Sequence, residues 1–223
     1  PAKRQNLLFS ATFPEEVKPI AKRLMNDPLM IEVASTHDDS SIVQSFYKVD
    51  DNRHRSHAVR LLLQQANSES TVIFCTTKRD VQELALDLKD YGFNVLALHG
   101  DLEQRDRDQT LVRFSNKSTN VLVATDVAAR GLDIDSLDAV INYHISIDPE
   151  IHVHRIGRTG RAGGIGHAYS LYAEKEFKKV ARLEDFLNIT IEPQELPNNS
   201  VLDNPIRIPA MVTLQIDGGK KQK

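Results

Sequence analysis

One cysteine, no tryptophan and three methionines occur in the 223 residues. A lone Cys75 allows no internal disulfide and no multi-cysteine zinc site, which fits a reducing, cytoplasmic compartment. Long apolar runs are missing as well. No stretch approaches the ~18 residues that cross a bilayer, so a membrane-spanning reading is excluded. Charge of one sign is also lacking: 28 Lys and Arg stand against 31 Asp and Glu, for a net charge of −3. Any nucleic-acid surface must therefore be a local basic patch. There is no G-x-x-x-x-G-K-[ST] phosphate loop and no repeat at a solenoid period. The opening PAKRQNLLFS does not start with Met, has no signal-peptide layout and reaches an apolar run by Asn6, so it reads as a cut end.

What is present is a rhythm of short β-rich runs separated by helical patterns. The runs are Leu29 to Val33, Val43 to Val49, Thr71 to Cys75, Asn94 to Leu98, Asn120 to Ala124, Ala139 to Tyr143 and His167 to Tyr172. Val59, Leu62, Leu63 and Ala66 recur at helical spacing, as do Val81, Leu84, Ala85 and Leu88. Thr77 with Asp80 resembles a capping box, and Gly92 sits where a left-handed C-cap belongs. Strand then helix, repeated, predicts an α/β fold with a parallel sheet flanked by helices on both faces. Parallel strands bring their carboxyl ends to one edge. On that edge the sequence places Thr76-Thr77, His99-Gly100-Asp101, Thr125-Asp126 and His144. Beyond Asp185, residues Pro193, Pro197, Asn198, Asn199, Pro205 and Pro209 give linker composition, and Met211 to Ile216 alternates as a strand would.

Three segments carry candidate chemistry. HRIGRTGR, from His154 to Arg161, combines Arg155, Arg158 and Arg161 with two glycines, and guanidinium forks suit phosphate oxygens. A solvated loop with carboxylate partners is the plain alternative. VLVATDVAARGLDI follows a strand with Thr125 and Arg130, which suit phosphate, and with Asp133, which suits a ribose hydroxyl. Asp126 or Asp133 could equally cap a helix or enter a buried ion pair. In HGDLEQRDRDQTLVRF, Asp101 is placed to cap a helix, and Arg107 either pairs with Glu103 or faces a ligand with Gln104. Together Arg130, Arg155, Arg158 and Arg161 are expected to concentrate on the cleft side as a local cationic field. Weaker signals remain open to structural readings: His152 and His154 form H-x-H without a third ligand, Cys75 reads as a buried hydrophobe, and Phe46, Tyr47, Phe93 and Phe114 read as core. The glycine series from Gly157 to Gly166 does not have dinucleotide-binding spacing.

Taken in order, VIFCTTKRD, HGDLEQRDRDQTLVRF, TDVAARGLDI and HRIGRTGRAG resemble motifs IV, IVa, V and VI of the DEAD-box ATP-dependent RNA helicases, and Ser10-Ala11-Thr12 resembles motif III. Together with the closing TLQIDGGKK, the HGDLEQRDRDQTLVRF stretch resembles the bacterial DbpA branch of that family. The resemblance implies a RecA-like parallel sheet, the helicase C-terminal domain. It implies that residues 1–30 are the tail of the first RecA-like domain with an interdomain linker, 31–192 the second RecA-like domain, 193–210 a linker and 211–223 the start of an RRM-like RNA-binding domain. Residue by residue, it places Arg158 and Arg161 as catalytic arginines at the ATP γ-phosphate and Asp133 at the nucleotide ribose. It places Thr77, Gly100, Arg107, Thr125 and Arg130 on RNA, and Ser10, Ala11, Thr12 and His154 in interdomain coupling.

Implied partners are ATP with Mg2+ held mainly by the first RecA-like domain, that domain itself, and RNA, with large-subunit ribosomal RNA as the target. One position departs from the pattern, since His144 stands where the family commonly has an acid. Because the Walker lysine, the Asp-Glu-Ala-Asp stretch and the Q motif are absent from this sequence, the chain is expected not to hydrolyse ATP alone. A non-catalytic RNA-binding adaptor and a DNA-directed translocase of the same superfamily remain the rival readings.

Overall fold

The computed structural model describes residues 4–9, 17–31, 41–130, 136–160, 164–204 and 206. The chain divides into two units, Pro1–Thr36 and His37–Lys223. In the first, helix α1 (Val17–Leu24) carries Lys22 and Arg23 in its last turn, where cations meet the negative end of the helix dipole. The Asn6 amide donates to the Leu24 carbonyl at 2.6 Å. The strand expected from Leu29 to Val33 is not formed over Leu29–Ile31, and residues 32 and 33 lie outside the described residues. A β-rich run needs a pairing partner, and the described residues of this unit contain no strand.

The second unit is an α/β sandwich. Six strands, β1 (Ile42–Lys48), β2 (Thr71–Cys75), β3 (Val95–Leu98), β4 (Val121–Thr125), β5 (Ala139–Asn142) and β6 (Gly166–Tyr172), all pair in parallel in the order β1-β6-β5-β2-β4-β3. Helices α2 (Asn52–Ala66), α3 (Lys78–Asp90), α4 (Gln104–Ser115), α5 (Asp126–Ala129), α6 (Pro149–Ile156) and α7 (Phe177–Leu187) connect and cover them. The continuously apolar β2 is buried at every residue because both faces are covered. Its Ile73 and Cys75 join a core with Val59 and Leu62 of α2 and Val81, Leu84 and Leu88 of α3. Its Val72 and Phe74 point the other way, into a core with Phe114 of α4 and Ala128 of α5. The four aromatics Phe46, Tyr47, Phe93 and Phe114 are all buried.

Local chemistry sets the helix limits. Thr77 is the N-cap of α3, accepting from the Asp80 N–H at 3.1 Å. At the other end Gly92 adopts φ +89°, and the Phe93 N–H returns to the Leu88 carbonyl at 3.0 Å, the six-to-one bond of a left-handed C-cap. Asp101 does not cap α4, whose N-cap is Glu103. Its carboxylate instead accepts from Lys78 Nζ at 2.6 Å, which holds its pKa below the usual range.

Residues 193–204 of the Pro- and Asn-rich segment are part of the second unit and pack on it. Pro193 bridges to Phe46, and the Gln194 N–H donates to the Phe46 carbonyl at 2.7 Å. Leu196 packs on the core, Asn199 Oδ1 lies 2.8 Å from His57 Nε2, and Gln64 donates to the Asn204 carbonyl at 2.8 Å. Each proline lacks an N–H of its own, but a neighbouring N–H can still bond to the sheet and side chains can still dock.

Candidate functional site

Because every strand runs the same way, the residues after each strand share one edge. Thr77 follows β2, Gly100 follows β3, Thr125 ends β4 and His144 follows β5, as the sequence pattern requires. Thr77 is exposed, and its hydroxyl donates to Asp80 at 2.6 Å. Gly100 is exposed, with nothing within 4 Å of where a Cβ would stand. The Thr125 side chain accepts from the Ala128 N–H at 3.3 Å as the N-cap of α5, and Arg130 is exposed just past that helix. Arg107 donates to the Ala128 carbonyl at 2.7 Å rather than pairing with Glu103, tying α4 to α5. These five candidates therefore lie on the carboxyl edge or on the helices beginning there.

Arg158 lies elsewhere. Helix α6 runs back along the sheet, and the turn after it reaches the amino edge. There the Leu137 N–H donates to the Arg158 carbonyl at 3.0 Å, and the Thr159 hydroxyl donates to the Leu137 carbonyl. Ser41, just before β1, donates to the Gly160 carbonyl at 2.9 Å. The arginines expected to share one field are thus divided: Arg130 is at the carboxyl edge and the half-buried Arg158 at the amino edge. A parallel sheet forces this, since a segment entering the next strand must return to the strand's start. Asp133, Arg161 and Ser10, Ala11 and Thr12 lie outside the described residues, and His154 is exposed on α6.

Arg155 belongs to neither surface and is 3% exposed. Its Nε and Nη2 donate to the two carboxylate oxygens of Asp126 at 2.7 and 2.8 Å, and Nη1 donates to Asn142 Oδ1 at 3.1 Å and to the His144 carbonyl at 2.8 Å. The ion-pair alternative for Asp126 is the one realised. The glycines near this motif also serve packing. A Cβ on Gly166 would stand 2.2 Å from both the Gly160 nitrogen and Thr159 Oγ1, and Gly160 itself takes φ +68°. Gly166→Ala is expected to displace Thr159 and Gly160, lowering the thermal midpoint. A thermal melt within ~1 °C of wild type would contradict this.

Two histidines are held neutral. Burial, then the positive charge of Arg55, pushes His144 down to about 4, and burial, then Arg155, pushes His152 down to about 4. His152 Nε2 lies 3.2 Å from Gln44 Oε1 and its ring stacks on Phe46 at 6.0 Å, so it is enclosed while His154 is exposed; the H-x-H pair does not face one ligand. Both folded pKa values lie below the unfolded value of 6.5, so the unfolded chain takes up protons first as pH falls. Stability is full above about pH 6.5 and drains toward pH 4, with His152 alone removing roughly 2 kcal/mol by pH 5. Urea midpoints at pH 7.5 and 5 measure this, and His152→Gln is expected to flatten the profile.

Among the described residues no group of three or more His, Cys, Asp and Glu is placed to hold a metal ion, and no helix is long and apolar enough to cross a membrane.

Residues 54–163 match the helicase conserved C-terminal domain family. The chain is 50% identical over 223 residues to the ATP-dependent RNA helicase DbpA of Escherichia coli, covering 100% of this chain and 48% of that protein. It is similar to the solved structure of the E. coli DEAD-box protein SrmB bound to regulator of ribonuclease activity A. That similarity has a TM-score of 0.67 and 32% identity, over 76% of this chain and 98% of that one. It is also similar to Saccharomyces cerevisiae Dbp5 bound to RNA and ADP BeF3, with a TM-score of 0.73 and 30% identity over 86% of this chain and 51% of that one. The chain spans about half the length, or less, of the curated relatives it matches, 48% and 40% for two of them.

Proposed function

The chain belongs to the DEAD-box RNA helicase family as a RecA-like helicase C-terminal domain, and from that premise we propose that it supplies the arginine-bearing half of an ATP-dependent RNA helicase. The observation that carries this reading is the division of chemistry between two edges of one sheet. Hydroxyls, an open glycine and Arg130 lie at the carboxyl edge, and Arg158 lies at the amino edge.

RNA lies along the carboxyl edge. Neighbouring strands stand ~4.8 Å apart, so the ends of β2, β4 and β3 span about 10 Å, room for a short stretch of RNA backbone. Phosphate oxygens there meet the Thr77 hydroxyl, which must exchange its bond to Asp80, and the N–H groups of Arg107 that the Ala128 carbonyl leaves free. Gly100 keeps the approach clear. None of these contacts reads a base edge, so binding by this domain is sequence-tolerant and salt-sensitive. Arg130→Ala is expected to weaken RNA binding uniformly across sequences and to reduce the slope of log K against log salt by ~0.7.

ATP is held from the amino edge. Arg158 and Arg161 approach its phosphates and Asp133 its ribose, while Mg2+ and the phosphate loop belong to a first RecA-like domain. A guanidinium among these residues fits phosphate. When bound, ATP would supply the phosphoryl group that is transferred to water, once the two RecA-like domains have closed over ATP and RNA. In this reading residues 1–30 are the end of that first domain, 31–192 the second, 193–210 a linker and 211–223 the start of an RRM-like module. That module directs the cytoplasmic enzyme to large-subunit ribosomal RNA.

The test uses the full-length protein. ATP turnover stimulated by RNA well above DNA, with none from the isolated 223-residue chain, is the expected result, because 2′-hydroxyl contacts distinguish the polymers. Equal stimulation by DNA, or turnover by the isolated chain, overturns the reading.

A further inference from the structure

We propose that Arg155 is a positioning residue that couples RNA occupancy at α5 to the placement of Arg158 on the opposite sheet edge. The inference rests on the functional reading above. Arg155 is not a phosphate ligand: four of its donor contacts go to Asp126, Asn142 and the His144 carbonyl, and Phe74 lies 5.3 Å below its guanidinium. A side chain on a helix leans toward the helix N-terminus. Arg155 therefore sends its fork back to the carboxyl edge while its backbone stays in the last turn of α6.

Each end of this strut holds a candidate site. Asp126 directly follows the Thr125 cap and begins α5, and the same helix receives Arg107 at the Ala128 carbonyl. At the other end the Arg158 N–H donates to the Arg155 carbonyl at 3.2 Å, and Leu137 fixes the Arg158 carbonyl from the far side. One bidentate ion pair and one backbone hydrogen bond thus join α5 to the Arg158 peptide. Stability alone is a weak reason to keep a guanidinium this buried on a half-buried carboxylate, since apolar replacements of similar volume are often as stable. A planar fork transmits direction as well as position, which a lysine ammonium does not.

By linkage, RNA and nucleotide must change each other's affinity by the same factor. In the full-length protein, that factor is measured with a non-hydrolysable ATP analogue and a structured RNA oligomer, titrated singly and together. Arg155→Lys is expected to bring the factor at least five-fold closer to one, while each ligand alone binds within about two-fold of wild type. Asp126→Asn, which keeps the guanidinium and removes the charge pairing, is expected to act in the same direction and serves if Arg155→Lys does not fold. A folded variant with wild-type coupling overturns the inference. So does a ten-fold loss of RNA affinity without nucleotide accompanied by a shallower salt slope, because Arg155 would then be a direct contact. Absence of any mutual effect in the wild type overturns the functional reading first, and this inference with it.

Discussion

In the full-length enzyme, Arg158→Ala or Arg161→Ala is expected to lose ~10³ to 10⁵ in RNA-stimulated ATP turnover, about 4 to 7 kcal/mol of transition-state stabilisation. RNA affinity and the thermal midpoint stay near wild type. The charge on a transferring phosphoryl group grows only as the reaction proceeds, so a fork placed against it acts on kcat far more than on nucleotide binding. Arg158 stands in a turn whose backbone is fixed on both sides, by the Arg155 carbonyl and the Leu137 N–H, so losing its side chain leaves the turn intact. Arg158→Lys keeps the charge but not the fork and is expected to recover only part of the rate. Turnover within ten-fold of wild type for both alanine variants would show that the phosphate assignment is wrong. A matching loss of RNA affinity would instead place these arginines on RNA, contrary to the separation of Arg158 from the carboxyl edge.

The parallel sheet was legible because its signal is redundant. β-branched runs such as Thr71 to Cys75 and Asn120 to Ala124 recur between helical stripes, and each later finds two covered faces. The residues at the carboxyl edge were legible for a related reason: whatever follows a parallel strand must appear on that edge. The arginines were harder. Spacing places Arg155, Arg158 and Arg161 three residues apart but does not say which side of the sheet a returning helix presents. Arg155 is drawn inward by Asp126, 29 positions earlier, a pairing that no local period encodes. The packing role of Gly166, whose missing Cβ makes room for Thr159 and Gly160, is likewise one that spacing does not encode. Composition marked residues 193 onward as a linker because prolines and asparagines break regular structure. Whether such a segment docks depends on partners such as Phe46, His57 and Gln64, far away in sequence.

Arg55 shows the same limit with a larger energetic consequence. It sits inside α2, 1% exposed, in a helix whose sequence gives no sign of a buried charge. Its Nη2 donates to Glu176 Oε2 at 2.6 Å, and its Nη1 donates to the Leu171 carbonyl at 3.0 Å and to the Tyr143 carbonyl. Glu176 also accepts from the Ala173 N–H at 2.9 Å and from Lys179 at 3.3 Å. Burial alone would raise the Glu176 pKa, but the Ala173 N–H, Arg55 and Lys179 together hold it below the ordinary 4.5. Its contribution is therefore present above about pH 4.5 and is lost as pH falls further. Glu176→Ala leaves the Arg55 charge enclosed without its counter-ion, a change that costs about 3 to 5 kcal/mol. For a chain of this size that lowers the thermal midpoint by roughly 6 to 20 °C. The double variant Arg55→Met with Glu176→Leu removes both charges and is expected to recover most of the loss, since the cost lies in the unpaired ion rather than in the missing bridge. Thermal melts of the single and double variants separate these cases. A double variant as unstable as Glu176→Ala would mean that the anchoring of α2 to the ends of β5 and β6, and not charge compensation, is what the pair provides.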